Sequence, residues 1–108
     1  MGIWPKMKPY MGLDFPNLPY LFDGDFRLTE SKSIMKYFCR KHNPSMLGCN
    51  PKEVATADMV SRVHDTMHHT IGKHCFEDGN RESLLADIES YSKLLSDFLG
   101  EKTFMVGD

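Results

Sequence analysis

From Pro19 to Leu28 apolar residues alternate with turn formers, and beyond Ser31 the apolar spacing changes from strand-like to helical. Tyr20-Leu21-Phe22 and Phe26-Arg27-Leu28 read as two short strands of a hairpin over 18–28, joined by Asp23-Gly24 as a two-residue turn. Pro19 has no amide hydrogen to give, which a strand's first residue tolerates and a central ladder does not. Ile34, Met35 and Phe38 recur at helical spacing from Ser31 to Lys41, and Arg40, Lys41 and His42 suit the negative end of that helix. Asn50, Pro51 and Glu53 together spell a helix start, as cap, first helical residue and third-position carboxylate. Val60, Val63, Met67, Ile71 and Cys75 continue that helix as an apolar stripe, weakened near its end by Gly72. Glu77-Asp78-Gly79-Asn80 is the expected turn, and Leu84, Leu85, Ile88, Tyr91, Leu95 and Phe98 form one face of a last helix closed by Gly100. Residues 1–12 hold Pro5, Pro9 and Gly12 without any apolar period and read as loop.

The resulting organisation is a hairpin with one covering helix over 1–43, a linker over 44–50 and a helical hairpin over 51–108: an α+β chain in two parts. Hydrophobic residues make up 41% of the chain, enough to build a core if the pattern is complete. No apolar run approaches the roughly 18 residues that a membrane helix needs, and no basic start followed by an apolar stretch marks a signal peptide. The net charge of −2 is uneven: residues 1–50 carry seven Lys/Arg against four Asp/Glu, and residues 51–108 carry six against eleven. The first half suits a small anionic ligand but is too weakly basic for nucleic acid. Cys39, Cys49 and Cys75 are odd in number and lack CxxC spacing, so they read as reduced thiols of a cytoplasmic protein. Cys39 and Cys75 fall on apolar faces and are expected to pack.

Three sets of side chains carry candidate chemistry. Ser31, at the start of a helix, can simply cap it, or can offer its hydroxyl and backbone N–H to a carboxylate. Trp4 and Lys8 place an indole N–H and a cation four residues apart in a Pro-rich stretch. His64 and His68 stand one helical turn apart with His69 and His74 nearby, a polar face or half of a metal site; no HExxH motif accompanies them.

The ordered series Leu13-Asp14-Phe15-Pro16-Asn17-Leu18-Pro19-Tyr20-Leu21, Glu30-Ser31, Arg40-Lys41-His42-Asn43, Ala57-Asp58-Met59-Val60 and Asp97-Phe98-Leu99-Gly100 resembles the glutathione transferases, the mu class in particular. The likeness covers nearly the whole chain, with a short insertion around Pro44 to Cys49. It implies the later half of a thioredoxin-like domain followed by the first hairpin of an all-helical domain. It assigns the glycine carboxylate of glutathione to Trp4 and Lys8, its cysteinyl part to Asn17, Leu18 and a cis Pro19, and its γ-glutamyl end to Glu30 and Ser31. Glu30 replaces the glutamine usual in the mu class. Phe76 stands where many members carry a pocket tyrosine and would leave an apolar wall toward the electrophile. Phe15 resembles the key that enters a partner subunit of a homodimer, with Asp65 or Thr66 reaching across the same interface.

Tyr10, Tyr20, Tyr37 and Tyr91 all miss the family's catalytic position, which belongs to a β-α-β unit that Met1 already lies beyond. The resemblance thus implies a middle piece of an enzyme, inactive alone, with no catalytic residue, no metal and no cofactor besides glutathione as co-substrate. Two other readings stand beside it: an interaction module that pairs through Phe15 and the helix 51–76, and a metal-binding hairpin built on the histidines.

Overall fold

The alternating segment folds as expected into an antiparallel pair, β1 (Tyr20–Asp23) and β2 (Phe26–Thr29), with Tyr20 opposite Thr29, Leu21 opposite Leu28, Phe22 opposite Arg27 and Asp23 opposite Phe26. The turn is displaced by one residue from the sequence reading. Asp23 ends the strand, and Gly24-Asp25 make the connection with Gly24 at φ 61°. A two-residue hairpin needs positive φ at its first central position, and glycine takes it without steric cost. The computed structural model describes residues 2–107, and the chain divides into two compact units between Leu47 and Gly48.

In the first unit the helix α2 (Ser31–His42) covers one face of the hairpin. Tyr37 packs its ring on Phe26 at 5.1 Å, and both its hydroxyl and the Lys41 ammonium donate to Oδ2 of Asp23. Leu21 and Leu28, paired on the same face, are half-buried. Much of the stretch read as loop before the hairpin is helical. Ile3–Met7 form a short helix, α1, continued by a 3₁₀ turn over Lys8–Tyr10. Both prolines sit in first turns, where the amide hydrogen would have had no intrahelical acceptor, so neither breaks anything. Across the hairpin's other face Trp4 of α1 lies parallel to Tyr20, 6.0 Å between centroids and 7° between planes. A further 3₁₀ turn, Pro44–Leu47, ends the unit.

The second unit is a helical hairpin of α3 (Pro51–Lys73) and α4 (Arg81–Leu99). Asn50 caps α3 through Oδ1, which accepts from the amides of Lys52 and Glu53 at 3.0 Å. Glu53 reaches back as a capping box would, but its Oε2 takes the amide of Cys49 at 2.7 Å rather than that of the cap itself. The helix ends in a π-turn, His74–Asp78, and Gly79 in the left-handed region returns its N–H to the His74 carbonyl at 3.0 Å. Asn80 caps α4 by accepting the Ser83 amide at 3.1 Å. Across the two arms His74 Nε2 lies 2.8 Å from Asp87 Oδ2.

Val60, Val63, Met67 and Ile71 form a half-buried stripe on α3 as their spacing requires. Cys75, expected to extend it, is exposed. The π-turn adds a residue per turn and rotates later positions off the stripe. Leu85 is likewise exposed, and Leu84, Ile88, Tyr91, Leu95 and Phe98 keep the inner face of α4.

Candidate functional site

The ladder register sets the geometry of the hairpin's open end. Tyr20 pairs with Thr29, so Pro19 and Leu18 leave the ladder at the end where Glu30 and Ser31 continue from β2. The chain turns from strand to helix in one residue. Glu30, at φ 70° and ψ 111°, is the only non-glycine with positive φ among the described residues. Such a backbone costs about 1–3 kcal/mol and clusters at functional sites. Its carbonyl closes the first turn by accepting the Ile34 amide at 3.0 Å, but its side chain makes no capping hydrogen bond. The starts of α3 and α4 are each covered by an asparagine, whereas α2 presents its first turn without a side-chain cap. N–H groups there have no intrahelical acceptor, and the positive dipole end favours an anion.

Around this helix start lie further polar groups. The Leu18–Pro19 peptide is cis, and the Leu18 amide donates to Oδ1 of its neighbour Asn17 at 2.9 Å. Trp4 reaches the same end of the hairpin through its stack on Tyr20, the residue after Pro19. Lys8 follows one turn later, its amide bonded to the Trp4 carbonyl and its side chain exposed. Trp4, Leu18, Pro19, Glu30 and Ser31 are thus gathered at one hairpin end, with Lys8 on the adjoining turn.

The remaining expected positions lie elsewhere. Phe15 projects from the loop after the 3₁₀ turn and is 77% exposed. Phe76, 90% exposed on the π-turn, and Asp65 and Thr66 on α3 belong to the second unit. Asp65 pairs with Arg62 at 3.6 Å, and Thr66 Oγ1 donates to the Arg62 carbonyl at 3.1 Å. The His64 and His68 rings stack at 6.3 Å and His74 is turned toward Asp87. Among the described residues no three His, Cys, Asp or Glu side chains converge on a metal position.

Two arrangements have no counterpart in the sequence reading. Asp23, read as a turn residue, is the acceptor for both Tyr37 and Lys41, and the hydrogen bonds from Lys41 and Tyr37 hold its carboxyl below the usual carboxylate range. The bond to Asp23 raises Lys41 in turn. The available signal was the i, i+4 spacing of Tyr37 and Lys41, which puts them on one helical face. Arg27, opposite Phe22, places its guanidinium 5.0 Å from that ring and donates from Nη1 to the carbonyls of Met11 at 2.7 Å and Gly12 at 3.2 Å.

No protein-family profile matches the chain. Curated proteins similar to it include glutathione S-transferase 2 of Gallus gallus, 35% identical over 97% of this chain and 48% of its own length. Glutathione S-transferase Mu 2 of Homo sapiens is 34% identical over 97% of the chain and 49% of its own, and the class-mu 26 kDa isozyme of Schistosoma mansoni 35% over 98% and 55%. The crystal structure of the glutathione S-transferase Blo t 8 superposes with a TM-score of 0.62 at 31% identity, covering 91% of this chain and 44% of that one. The chain spans about half the length of the curated relatives it matches. In sequence and in fold alike it belongs with the glutathione S-transferases, and mu-class members are among the curated relatives it matches.

Proposed function

We propose that the open end of the hairpin holds glutathione. The observation that carries this reading is the ladder register, which sets the Leu18–Pro19 backbone beside Glu30 and Ser31 at a helix start without a side-chain cap. Ser31 receives the γ-glutamyl carboxylate through its hydroxyl and amide, and Glu30 attracts the neighbouring ammonium. Asn17 rotates away to free the Leu18 amide for the cysteinyl part, next to Pro19. Trp4 and Lys8 take the glycine carboxylate, the indole as a donor and the ammonium as a point charge.

The wider activity we infer, once a thiol-activating group from outside these residues is supplied, is conjugation of the glutathione thiolate to an apolar electrophile, with Phe76 as part of an apolar wall and glutathione as co-substrate rather than cofactor. Two subunits pair through Phe15, Asp65 and Thr66. The cytoplasm belongs to the same proposal and is supported by three free thiols. In this reading no tyrosine of the chain is assigned to activate the thiol. Tyr20 is stacked on Trp4, Tyr37 donates to Asp23, and Tyr10 and Tyr91 stand on the 3₁₀ turn and on α4. A thiol left near its ordinary pKa is only a few per cent ionised at neutral pH.

Calorimetric titration of the chain with glutathione tests the assignment. Ser31→Ala is expected to weaken binding by about 1–3 kcal/mol, the worth of a hydrogen bond to a charged group. Equal affinity in the two proteins rejects it. The purified 108-residue chain is expected to bind without conjugating a chlorinated nitrobenzene at a measurable rate.

A further inference from the structure

We infer that Arg27 is a positioning residue that fixes the Trp4–Lys8 arm of the cradle against the hairpin; this rests on the glutathione reading for its consequence, not for its geometry. Residues 3–12 meet the hairpin at two places. At one, Trp4 lies on Tyr20. At the other, Arg27 Nη1 donates to the carbonyls of Met11 and Gly12. Lys8 lies between these anchors in the chain. On the stack alone the arm would be free to turn about Trp4; the second anchor removes that freedom.

The same hairpin face connects the anchors. Trp4, Tyr20, Phe22 and Arg27 form one row, with Tyr20 and Phe22 at 5.2 Å and the guanidinium 5.0 Å above Phe22. Position 12 is shaped to the guanidinium. Its φ is 62°, and a Cβ there would fall 2.1 Å from Arg27 Nη1. Arginine alone can lie flat on a ring while an N–H of its planar fork reaches two carbonyls, and a charged donor strengthens those bonds. Lysine can keep one of these interactions.

The sequence contains a single tryptophan, so its fluorescence reports the arm directly. Arg27→Met keeps the apolar stem over Phe22 and removes both hydrogen bonds. In the ligand-free chain it is expected to shift Trp4 emission to the red and steepen acrylamide quenching. The Kd for glutathione should rise about tenfold, equivalent to one charge-assisted hydrogen bond to the ligand. Arg27→Lys should fall between Arg27→Met and the parent in both readings, and Ser31→Ala should lose affinity with Trp4 unmoved. The near-ultraviolet signal of the Phe26–Tyr37 pair, on the hairpin's other face, checks that the hairpin persists; where Arg27→Met loses it, Arg27→Lys decides. Unchanged Trp4 quenching in a folded Arg27 variant overturns the positioning role. Altered quenching with unchanged glutathione affinity overturns its consequence for binding. A parent chain that binds no glutathione at all sinks the glutathione reading and that consequence with it, while the quenching data still decide whether Arg27 holds the arm.

Discussion

A methyl group at position 48 would sit 2.7 Å from the Val54 amide nitrogen and 3.0 Å from the carbonyl carbon of Glu53. Both are backbone atoms in the first turn of α3, and neither can move without opening that turn. Gly48 also has φ 118°, a conformation that side chains rarely adopt. Gly24, at φ 61° in the hairpin turn, has nothing within 4 Å of the same methyl position. Gly24→Ala is therefore expected to cost about 1 kcal/mol of backbone strain alone. Gly48→Ala adds a clash that nothing flexible can absorb, for about 2–4 kcal/mol in all. Circular dichroism at 222 nm in increasing urea checks this: Gly48→Ala should lose helix at lower urea than Gly24→Ala, and equal losses would contradict the packing argument. Single residues were legible where their chemistry is local. Asn50, Pro51 and Glu53 announce a cap that the structure builds, one amide displaced. The positive φ of Glu30 was not legible, because it follows from joining β2 to α2 in one residue rather than from any preference of glutamate.

At the scale of elements, α2 meets the hairpin through rings and through one charged cluster. Asp23 is held low in pKa by Lys41 and Tyr37, and Lys41 is held high by Asp23. A carboxylate whose folded pKa is depressed contributes stability above its unfolded value of 3.8, lost as pH falls through the folded one. An ammonium whose folded pKa is raised contributes below its unfolded value of 10.5, lost as pH rises through the folded one. The contribution of this cluster to the contact between α2 and β1 is thus fully present between 3.8 and 10.5 and fades only as pH passes the lowered Asp23 value below or the raised Lys41 value above. A carboxyl-carbon NMR titration of Asp23 should give a midpoint below 3.8, and Asp23→Asn should remove the acid dependence of Tyr37 environment. A midpoint at or above that value would refute the cluster. Elements announced by period were legible: the strand pair, α2, and the stripes of α3 and α4. Those that depend on contact were not. α1 is hidden by prolines that happen to fall in first turns, and the π-turn that exposes Cys75 leaves no mark in the apolar spacing.

For the whole chain the question is how much apolar surface these elements remove from water. Among the described residues Leu13, at 9% exposure, is the one hydrophobic side chain that counts as buried, and none is fully enclosed. Tyr10, Phe15, Ile3, Met46 and Phe76 are largely exposed, alongside outward positions on every long helix. Burial contributes roughly 25 cal/mol per Å² only for area actually removed, while ordering the backbone costs about 1–2 kcal/mol per residue. Half-buried stripes cannot offset that cost as a closed core would. What remains is a set of individual contacts: two asparagine caps, the Lys93–Asp97 pair one turn apart at 3.0 Å, the rings around Tyr37, and the hydrogen bonds made by Arg27, by Asp23 and between His74 and Asp87. The isolated chain is therefore expected to show strong helical dichroism at low temperature, a broad melt without a steep midpoint, and binding of a hydrophobic dye before melting begins. Raising the concentration should sharpen the melt if Phe15 finds a place in a second copy, and Phe15→Ser should abolish that sharpening. A steep, concentration-independent transition from a monomer that leaves the dye unbound would show that half-buried stripes suffice, against the burial argument.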